Sequence, residues 1–514
     1  MSPTQLVAGV DSSTQSTKVE IRVAESGELV GFGSAPHNAV HPPIAEQEPS
    51  SWLAAFQTAF QTALRIALAV HPAEVQPQTG LTGQEVKLAA LSIAGQQHGM
   101  VCLDHHDQVI RPAKLWCDTT SAPDAEYLVS QLPGGASAWA QACGSVPVAA
   151  FTISKLAWLR RNEPDSWKRL DSVLLPHDWL TFCLTGNKVT DRGEASGTGY
   201  WSAATNDYCW DLLKLLDSQE IQGELQQNSG QNSGQISGHD WREMLPLVLG
   251  PDEAAGEWNG CVVAAGTGDN MAAALGLGLR VGEVALSLGT SGTVFAVSQH
   301  PSADSTGAVA GFADATGNFL PLVCTLNATK VTDTVARLCG LDLAALDAAA
   351  LDCEAGAGGL TLLPYFDGER TPNRPNATGQ IIGLNSDTTI SQLARAAFEG
   401  VICGLLDGLD ALSLHADTGG KMFLVGGGAQ SATYRQVLAD LTGREVITTE
   451  LEQAVATGAC VQAAATLLGR DPQELRSEWS IAQSTAPEMT TTPNPVSARH
   501  SEQIRLRYHE LKES

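Results

Sequence analysis

Short runs of β-branched and other apolar residues alternate along the chain with stretches whose apolar positions recur every three or four residues. These are the periods of strands and of amphipathic helices, and their alternation predicts an α/β fold. A first strand is expected over 6–10. It runs into the polar turn Asp11-Ser12-Ser13-Thr14-Gln15-Ser16-Thr17, and a second strand follows over 18–23 with Val19, Ile21 and Val23 on one face. Residues 284–297 repeat this layout of strand, Ser/Thr/Gly turn and strand around Leu288-Gly289-Thr290-Ser291-Gly292-Thr293. Two hairpins of one design, each early in its half of the chain, predict two related halves facing each other.

Further elements follow from the same pattern. A strand over 88–93 precedes Gly95-Gln96-Gln97-His98-Gly99. Gly266-Thr267-Gly268-Asp269-Asn270 opens a helix over 271–277, with Asp269 at the position of an N-cap. A strand ending at Val425 enters Gly426-Gly427-Gly428, and the helix after it carries Tyr434, Val437, Leu438 and Leu441 on one face. A C-terminal helix over 501–511 is expected to pack through Ile504, Tyr508 and Leu511. The Gln/Asn/Ser/Gly tract at 219–238 has too little apolar area to bury and reads as a surface insert. Placing the domain boundary after it gives domains 1–256 and 257–514.

Composition narrows the function classes. With 56 acidic and 30 basic side chains, the formal charge is −26. Such a field repels nucleic acids and anionic membranes, so neither is an expected partner. A hydrophobic fraction of 43% against 17% charged residues describes a globular chain. Eleven cysteines are dispersed with no CxxC pair, which reads as reduced thiols in a cytoplasm. The N-terminus lacks the pattern of a signal peptide. The apolar stretch at 262–288 is interrupted by Asp269, Arg280 and Glu283, so it does not read as a membrane span. The sequence leaves the oligomeric state open, a homodimer included.

Five segments carry candidate chemistry. Backbone N–H groups and hydroxyls in the first hairpin turn, Ser13 and Thr14 among them, form an anion-binding concavity, with Lys18 adding positive charge. Asp11 fits beside phosphate only with a cation such as Mg²⁺ between them. The turn at Gly289 and Thr290 offers the same groups, and an ordinary hairpin would read alike. Gly427 and Gly428 let a ring or phosphate lie on bare backbone, or simply provide positive φ. Asp269 is either a structural cap or a general base kept ionised by a helix N-terminus, with Asn270 holding a second hydroxyl. Gln97 and His98 supply donors and acceptors suited to a polyol. No GxxxxGK[ST] loop is present, and no GxGxxG follows a strand, which excludes P-loop NTPases and argues against dinucleotide dehydrogenases.

Taken together these residues resemble the FGGY carbohydrate kinases of the actin-like, sugar-kinase and Hsp70 ATPase superfamily. Gly379-Gln380-Ile381-Ile382-Gly383-Leu384, then Gln392-Leu393-Ala394-Arg395-Ala396-Ala397-Phe398-Glu399, is similar to the C-terminal family signature. Residues 152–159 resemble the N-terminal one. Gly95-Gln96-Gln97-His98-Gly99, Leu363 to Pro372 with its Gly368-Glu369-Arg370-Thr371, and Leu175-Pro176-His177-Asp178-Trp179 are similar to the branch that acts on D-xylulose. Trp116-Cys117-Asp118-Thr119-Thr120 departs from the family's Trp-Asn-Asp-x-Arg at Cys117 and Thr120, and Ser13 stands where many relatives have Gly.

The resemblance implies two ribonuclease H-like domains across a cleft and transfer of the ATP γ-phosphoryl group to the 5-hydroxyl of D-xylulose. It makes Asp269 the catalytic base and lets Asp11 act on Mg²⁺ through water. It gives the sugar His98, Asp269 and Asn270, and the nucleotide Thr14, Gly289, Thr290, Gly427 and Gly428; the reading of the segments themselves adds Gln97 to the sugar and Ser13 and Lys18 to the nucleotide. The alternatives are a family kinase for ribulose, gluconate, glycerol or an alditol, a chaperone-like ATPase, or a silent sugar sensor.

Overall fold

The structure, a computed structural model, describes residues 5–70, 88–217, 238–449, 451–479 and 489–514. The tract at 219–238 therefore lies almost wholly outside the described residues. The first sheet is built from β1 (Leu6–Ser12), β2 (Ser16–Val23), β3 (Leu29–Pro36), β4 (Ala90–Gly95), β5 (Ala254–Trp258), β6 (Cys261–Ala264) and β7 (Thr267–Gly268). Its order is β5-β6-β4-β1-β2-β3, with β7 also pairing β4. The β1–β2 and β2–β3 pairs are antiparallel, whereas β4 runs parallel to β1, β6 and β7. The first hairpin is thus present, and the strand expected over 88–93 lies two residues later.

A helix after β7, α1 (Asp269–Leu277), leads to the second sheet. That sheet contains β8 (Val284–Leu288), β9 (Gly292–Ala296), β10 (Ala310–Ala313), β11 (Phe319–Thr325), β12 (Met422–Val425), β13 (Val446–Ile447) and β14 (Thr490–Thr491). Its order is β10-β11-β9-β8-β12-β13-β14, with β8, β12 and β13 parallel. Each sheet therefore starts from an antiparallel hairpin, adds a third antiparallel strand on one side and adds parallel strands on the other. The expected relation between the halves is visible in this shared order.

Two helices show how the lobes are covered. The helix α2 (Ile390–Ser413) contains Gln392 to Glu399, the second half of the signature-like stretch, starts at a Thr389/Gln392 capping box and buries most of its length on the second sheet. The helix α3 (Ala454–Leu468) returns to the first sheet. It comes so close that a methyl group on Gly9 would lie 2.1 Å from the Ala456 carbonyl oxygen. One on Gly458 would lie 1.9 Å from that of Ala272, in α1. Ser92 in β4 donates to Gln462 of α3 at 2.7 Å, tying the two together. The boundary expected at 256/257 falls inside β5. Strands continue in the first sheet to Gly268, and α3 packs there from far along the chain. The C-terminal helix α4 (Ser501–Glu513) buries Ile504, Tyr508 and Leu511, as its pattern predicts.

All eleven cysteines are free thiols. No helix among the described residues is long and apolar enough to cross a membrane.

Candidate active site

In sheets of this kind, ligands bind beyond the carboxyl ends of parallel strands. The register puts three such ends side by side: Ser12 of β1 pairs with Gly95 of β4, and Gly95 pairs with Gly268 of β7. At roughly 4.8 Å per strand, the turn after Ser12, the segment Gln96–Gln97–His98 and Asp269 crowd into one small region. The expected residues of the first half converge because neighbouring strands end together.

Asp269 is the first residue of α1, after Gly268 at the N-cap, so it is not the cap it resembles in sequence. Its Oδ1 accepts from the Asn270 backbone N–H and from Asn270 Nδ2, both at 2.8 Å. Asn270 Nδ2 also donates to Gln97 Oε1 at 2.9 Å. Burial, joined by the negative charge of Asp11, pushes the Asp269 carboxyl up to about 7. The side chain is still only half-buried, so the same group is open on one face. A carboxylate poised near neutral pH, fixed at one oxygen and free at the other, is suited to accept a proton from a bound hydroxyl.

His98 adopts φ 64°, a left-handed conformation uncommon outside glycine. Its carbonyl accepts from Lys155 Nζ at 2.7 Å and from Thr152 Oγ1 at 3.3 Å. Lys155 Nζ also donates to the Ala150 carbonyl. Burial lowers the Lys155 ammonium to about 7. The His98 ring packs, tilted by 48°, with its centroid 5.0 Å from Phe151 of the first lobe and 5.5 Å from Phe312 of β10. Its pKa lies well below the usual value, through burial first and then the charges of Lys155 and Arg370. A neutral imidazole at the junction of both lobes results.

Acidic groups lie beneath this surface. Glu194 is fully buried, with its Oε1 against Gly268. Burial and the charges of Asp178, Asp191 and Asp269 hold it well above the usual carboxylate range. Asp191 caps the short helix at Arg192–Ser196 and accepts from Thr267 Oγ1 at 2.8 Å, fixing the strand that delivers Asp269.

The first hairpin turn is closed by Ser13 N–H donating to the Ser16 carbonyl at 3.0 Å. Thr14 Oγ1 accepts from Trp116 Nε1 at 2.9 Å and donates to Gln96 Oε1 at 3.1 Å. The Trp116 loop therefore braces the turn. Within that loop Asp118 pairs with Lys114 at 3.0 Å and accepts from Thr120 Oγ1 at 2.6 Å, so Thr120 serves a buried ion pair. Lys18 Nζ lies 3.5 Å from Asp11 Oδ2. Burial nonetheless raises the Asp11 carboxyl, and its Oδ1 is buried without a hydrogen-bond partner. A cation's water shell fits such an orphaned oxygen. Among the described residues no three His, Cys, Asp or Glu side chains converge as a cation cage, so a metal here would rest mainly on water and ligand oxygens.

The second sheet presents a matching pair of carboxyl ends, β8 running into Gly289 and Thr290, and β12 into Gly426, Gly427 and Gly428. Gly426 has φ 85° and would press a methyl group to 2.7 Å from the Leu288 carbonyl oxygen. A methyl on Gly428 would meet Leu288 Cβ at 2.7 Å, whereas one on Gly427 would meet nothing within 4 Å. The Gly289 carbonyl accepts from Thr329 N–H at 3.0 Å, at the start of the Thr329–Cys339 helix. Gly427 thus borders open space, and Thr290, after the neighbouring strand β8, is exposed.

The lobes meet along β10. Gly311 N–H donates to Ser145 Oγ and Ala313 N–H to Ser196 Oγ, each at 3.0 Å. Sequence reasoning assigned no role to Lys155, Glu194, Phe151, Phe312 or Arg370. Lys155 lay within the stretch 152–159 that resembles the N-terminal family signature, and Arg370 within the Leu363 to Pro372 stretch, but neither resemblance gave the residue a role.

The family model for the N-terminal domain of the FGGY carbohydrate kinases matches residues 6–276, and the C-terminal one matches 284–467. The chain is 43% identical to a xylulose kinase of Streptomyces coelicolor over 93% of its own length and 91% of that protein. It is 34% identical to a xylulose kinase of Haemophilus influenzae, covering 88% and 89% of the two chains. The crystal structure of a xylulose kinase from Bifidobacterium adolescentis superposes with a TM-score of 0.80 at 38% identity, covering 99% of each chain.

Proposed function

The chain belongs to the FGGY family of carbohydrate kinases, and we propose that it transfers the ATP γ-phosphoryl group to the 5-hydroxyl of D-xylulose. The observation that carries this reading is Asp269: a carboxyl pushed up to about 7, anchored at one oxygen and open on one face, beside Gln97, His98 and Asn270. In this assignment Asp269 takes the hydroxyl proton as the new P–O bond forms. Asn270 and Gln97 orient the acceptor, and His98 reads a further oxygen as a neutral donor or acceptor.

On the other side, Gly289, Thr290, Gly427 and Gly428 leave backbone and hydroxyl groups for the nucleotide, while Ser13, Thr14 and Lys18 face its phosphates. Mg²⁺ supplies charge neutralisation on the phosphate oxygens when bound, and Asp11 Oδ1 is the atom suited to hold it through water. Phosphoryl transfer requires alignment and electrostatic stabilisation more than covalent help, and this distribution of groups offers both.

A coupled ADP-release assay over pentuloses, glycerol, alditols and sugar acids tests the reading. D-xylulose should give the highest kcat/KM. A higher value with gluconate, ribulose or glycerol would reassign the acceptor, and ATP turnover independent of any sugar would reject a sugar kinase.

A further inference from the structure

The segment Gly368-Glu369-Arg370-Thr371 is clamped from both sides. The buried Glu369 carboxylate accepts from Leu326 N–H at 2.6 Å, Asn327 Nδ2 at 2.9 Å and Arg370 N–H at 2.8 Å. Thr371 Oγ1 donates to the Cys324 carbonyl at 3.0 Å. The backbone carrying Arg370 is thus fixed to the end of β11. Its side chain lines a small cavity between the lobes, with Ser145, Val146 and Phe151 on one wall and Ala308, Leu322 and Cys324 on the other. Phe151 is also the ring packed against His98. Among the described residues no carboxylate lies within ion-pair distance of the guanidinium. In a chain of net charge −26, a half-buried arginine left without a carboxylate beside a polyol site is placed for a ligand.

We propose that Arg370 is a substrate-binding residue of the acceptor site, contributed by the second lobe, which donates to sugar oxygens on the side of His98. A guanidinium has donors only, in a fixed fork, and so reads pairs of hydroxyl or carbonyl lone pairs. Because the arginine belongs to the second lobe and His98 to the first, a sugar touching both would hold the lobes together and favour closure around it. The electrostatics agree, since the charge of Arg370 contributes to keeping His98 neutral and its guanidinium contacts the Cys324 thiol.

This inference rests on the assigned sugar site, and the test separates the two. Wild-type enzyme first identifies the preferred acceptor in the substrate panel. Arg370→Met and Arg370→Lys are then assayed with that acceptor, alongside calorimetric titration with sugar alone. The expected result is a KM for the acceptor raised roughly 10- to 100-fold in Arg370→Met, an unchanged KM for ATP, and partial recovery in Arg370→Lys. Sugar affinity in the titration should fall in parallel. An acceptor KM within twofold of wild type in both variants would overturn the proposal, as would an equal rise in the ATP KM. If Arg370→Met does not fold, Arg370→Lys alone decides by the same split. A wild type that prefers another acceptor changes the assigned substrate without touching this comparison.

Discussion

Around Asp269 the site is made of side chains, and around Gly427 it is made of backbone. The first region collects Asp269, Asp11, Glu194, Lys155 and His98, every one of them shifted from its ordinary pKa mainly by burial. The second offers Gly289, Thr290, Gly427 and Gly428, with no ionisable side chain among them. The difference follows the chemistry proposed for each. Activating an alcohol needs a proton acceptor whose affinity is tuned, and tuning requires desolvation and nearby charge. Holding a nucleotide needs close approach and N–H groups, which glycine provides by having no side chain.

The comparison breaks most readily at Asp269. Asp269→Asn keeps the shape and the contact with Asn270 but removes the proton acceptor, so kcat should fall roughly 10²–10⁴-fold, with sugar affinity within a few-fold. Turnover close to wild type would take Asp269 out of the base role. The wild-type kcat/KM should decline as pH falls through about 7, because protonated Asp269 cannot accept a proton. A smaller effect is expected at Lys155. Lys155→Met removes the donor that holds the His98 carbonyl, so acceptor KM should rise about tenfold with ATP KM unchanged. A parallel rise in both would mean that Lys155 supports the fold generally.

On the backbone side, two adjacent glycines sharpen the contrast. Gly427→Ala places a methyl group in open space, so Tm should hold while ATP KM rises a few-fold. Gly428→Ala meets Leu288 Cβ at 2.7 Å, so Tm should drop as well. An unchanged ATP KM in Gly427→Ala would move the nucleotide elsewhere.

Legibility in the sequence divides along the same line. Both hairpins and the Gly426–Gly428 turn are local patterns, and the structure contains them because strand, turn and strand are neighbours in the chain. Asp269 was readable as a helix-start acid after two glycines, though its exact place, one residue beyond the cap, was not. Glu194 was opaque, and Lys155 and Arg370 stood in stretches that carry the resemblance without showing what either side chain does. A charged side chain, whether in a mostly apolar stretch like Lys155 or in a polar one like Glu194 and Arg370, looks solvated until distant elements close over it. The return of α3 to the first sheet was opaque for the same reason. It depends on Gly9 meeting Ala456, and on Gly276 and Gly458 letting α1 and α3 cross, contacts between residues far apart in sequence.

The smallest expected effect separates the two regions by pH alone. Lys155 is buried, with its ammonium lowered from 10.5 to about 7. Between those values the unfolded chain binds more protons at this site than the folded one, so stability gains with rising pH; below about 7 the full cost of burying the charge is present. Lys155→Met removes that cost. The variant should therefore compare best with wild type at pH 6 and lose ground as pH rises from 7 to 9, by about 1–2 °C in Tm per pH unit. Buried thiols such as Cys102 and Cys143, raised to about 12, work in the opposite direction above their unfolded value. They are shared by both proteins and cancel in the difference. Gly428→Ala alters packing without altering a titratable group, so its Tm deficit should stay flat over the same range. A flat difference for Lys155→Met as well would mean that this ammonium keeps its proton in the fold, and the acceptor side would lose one of the tuned groups that set it apart.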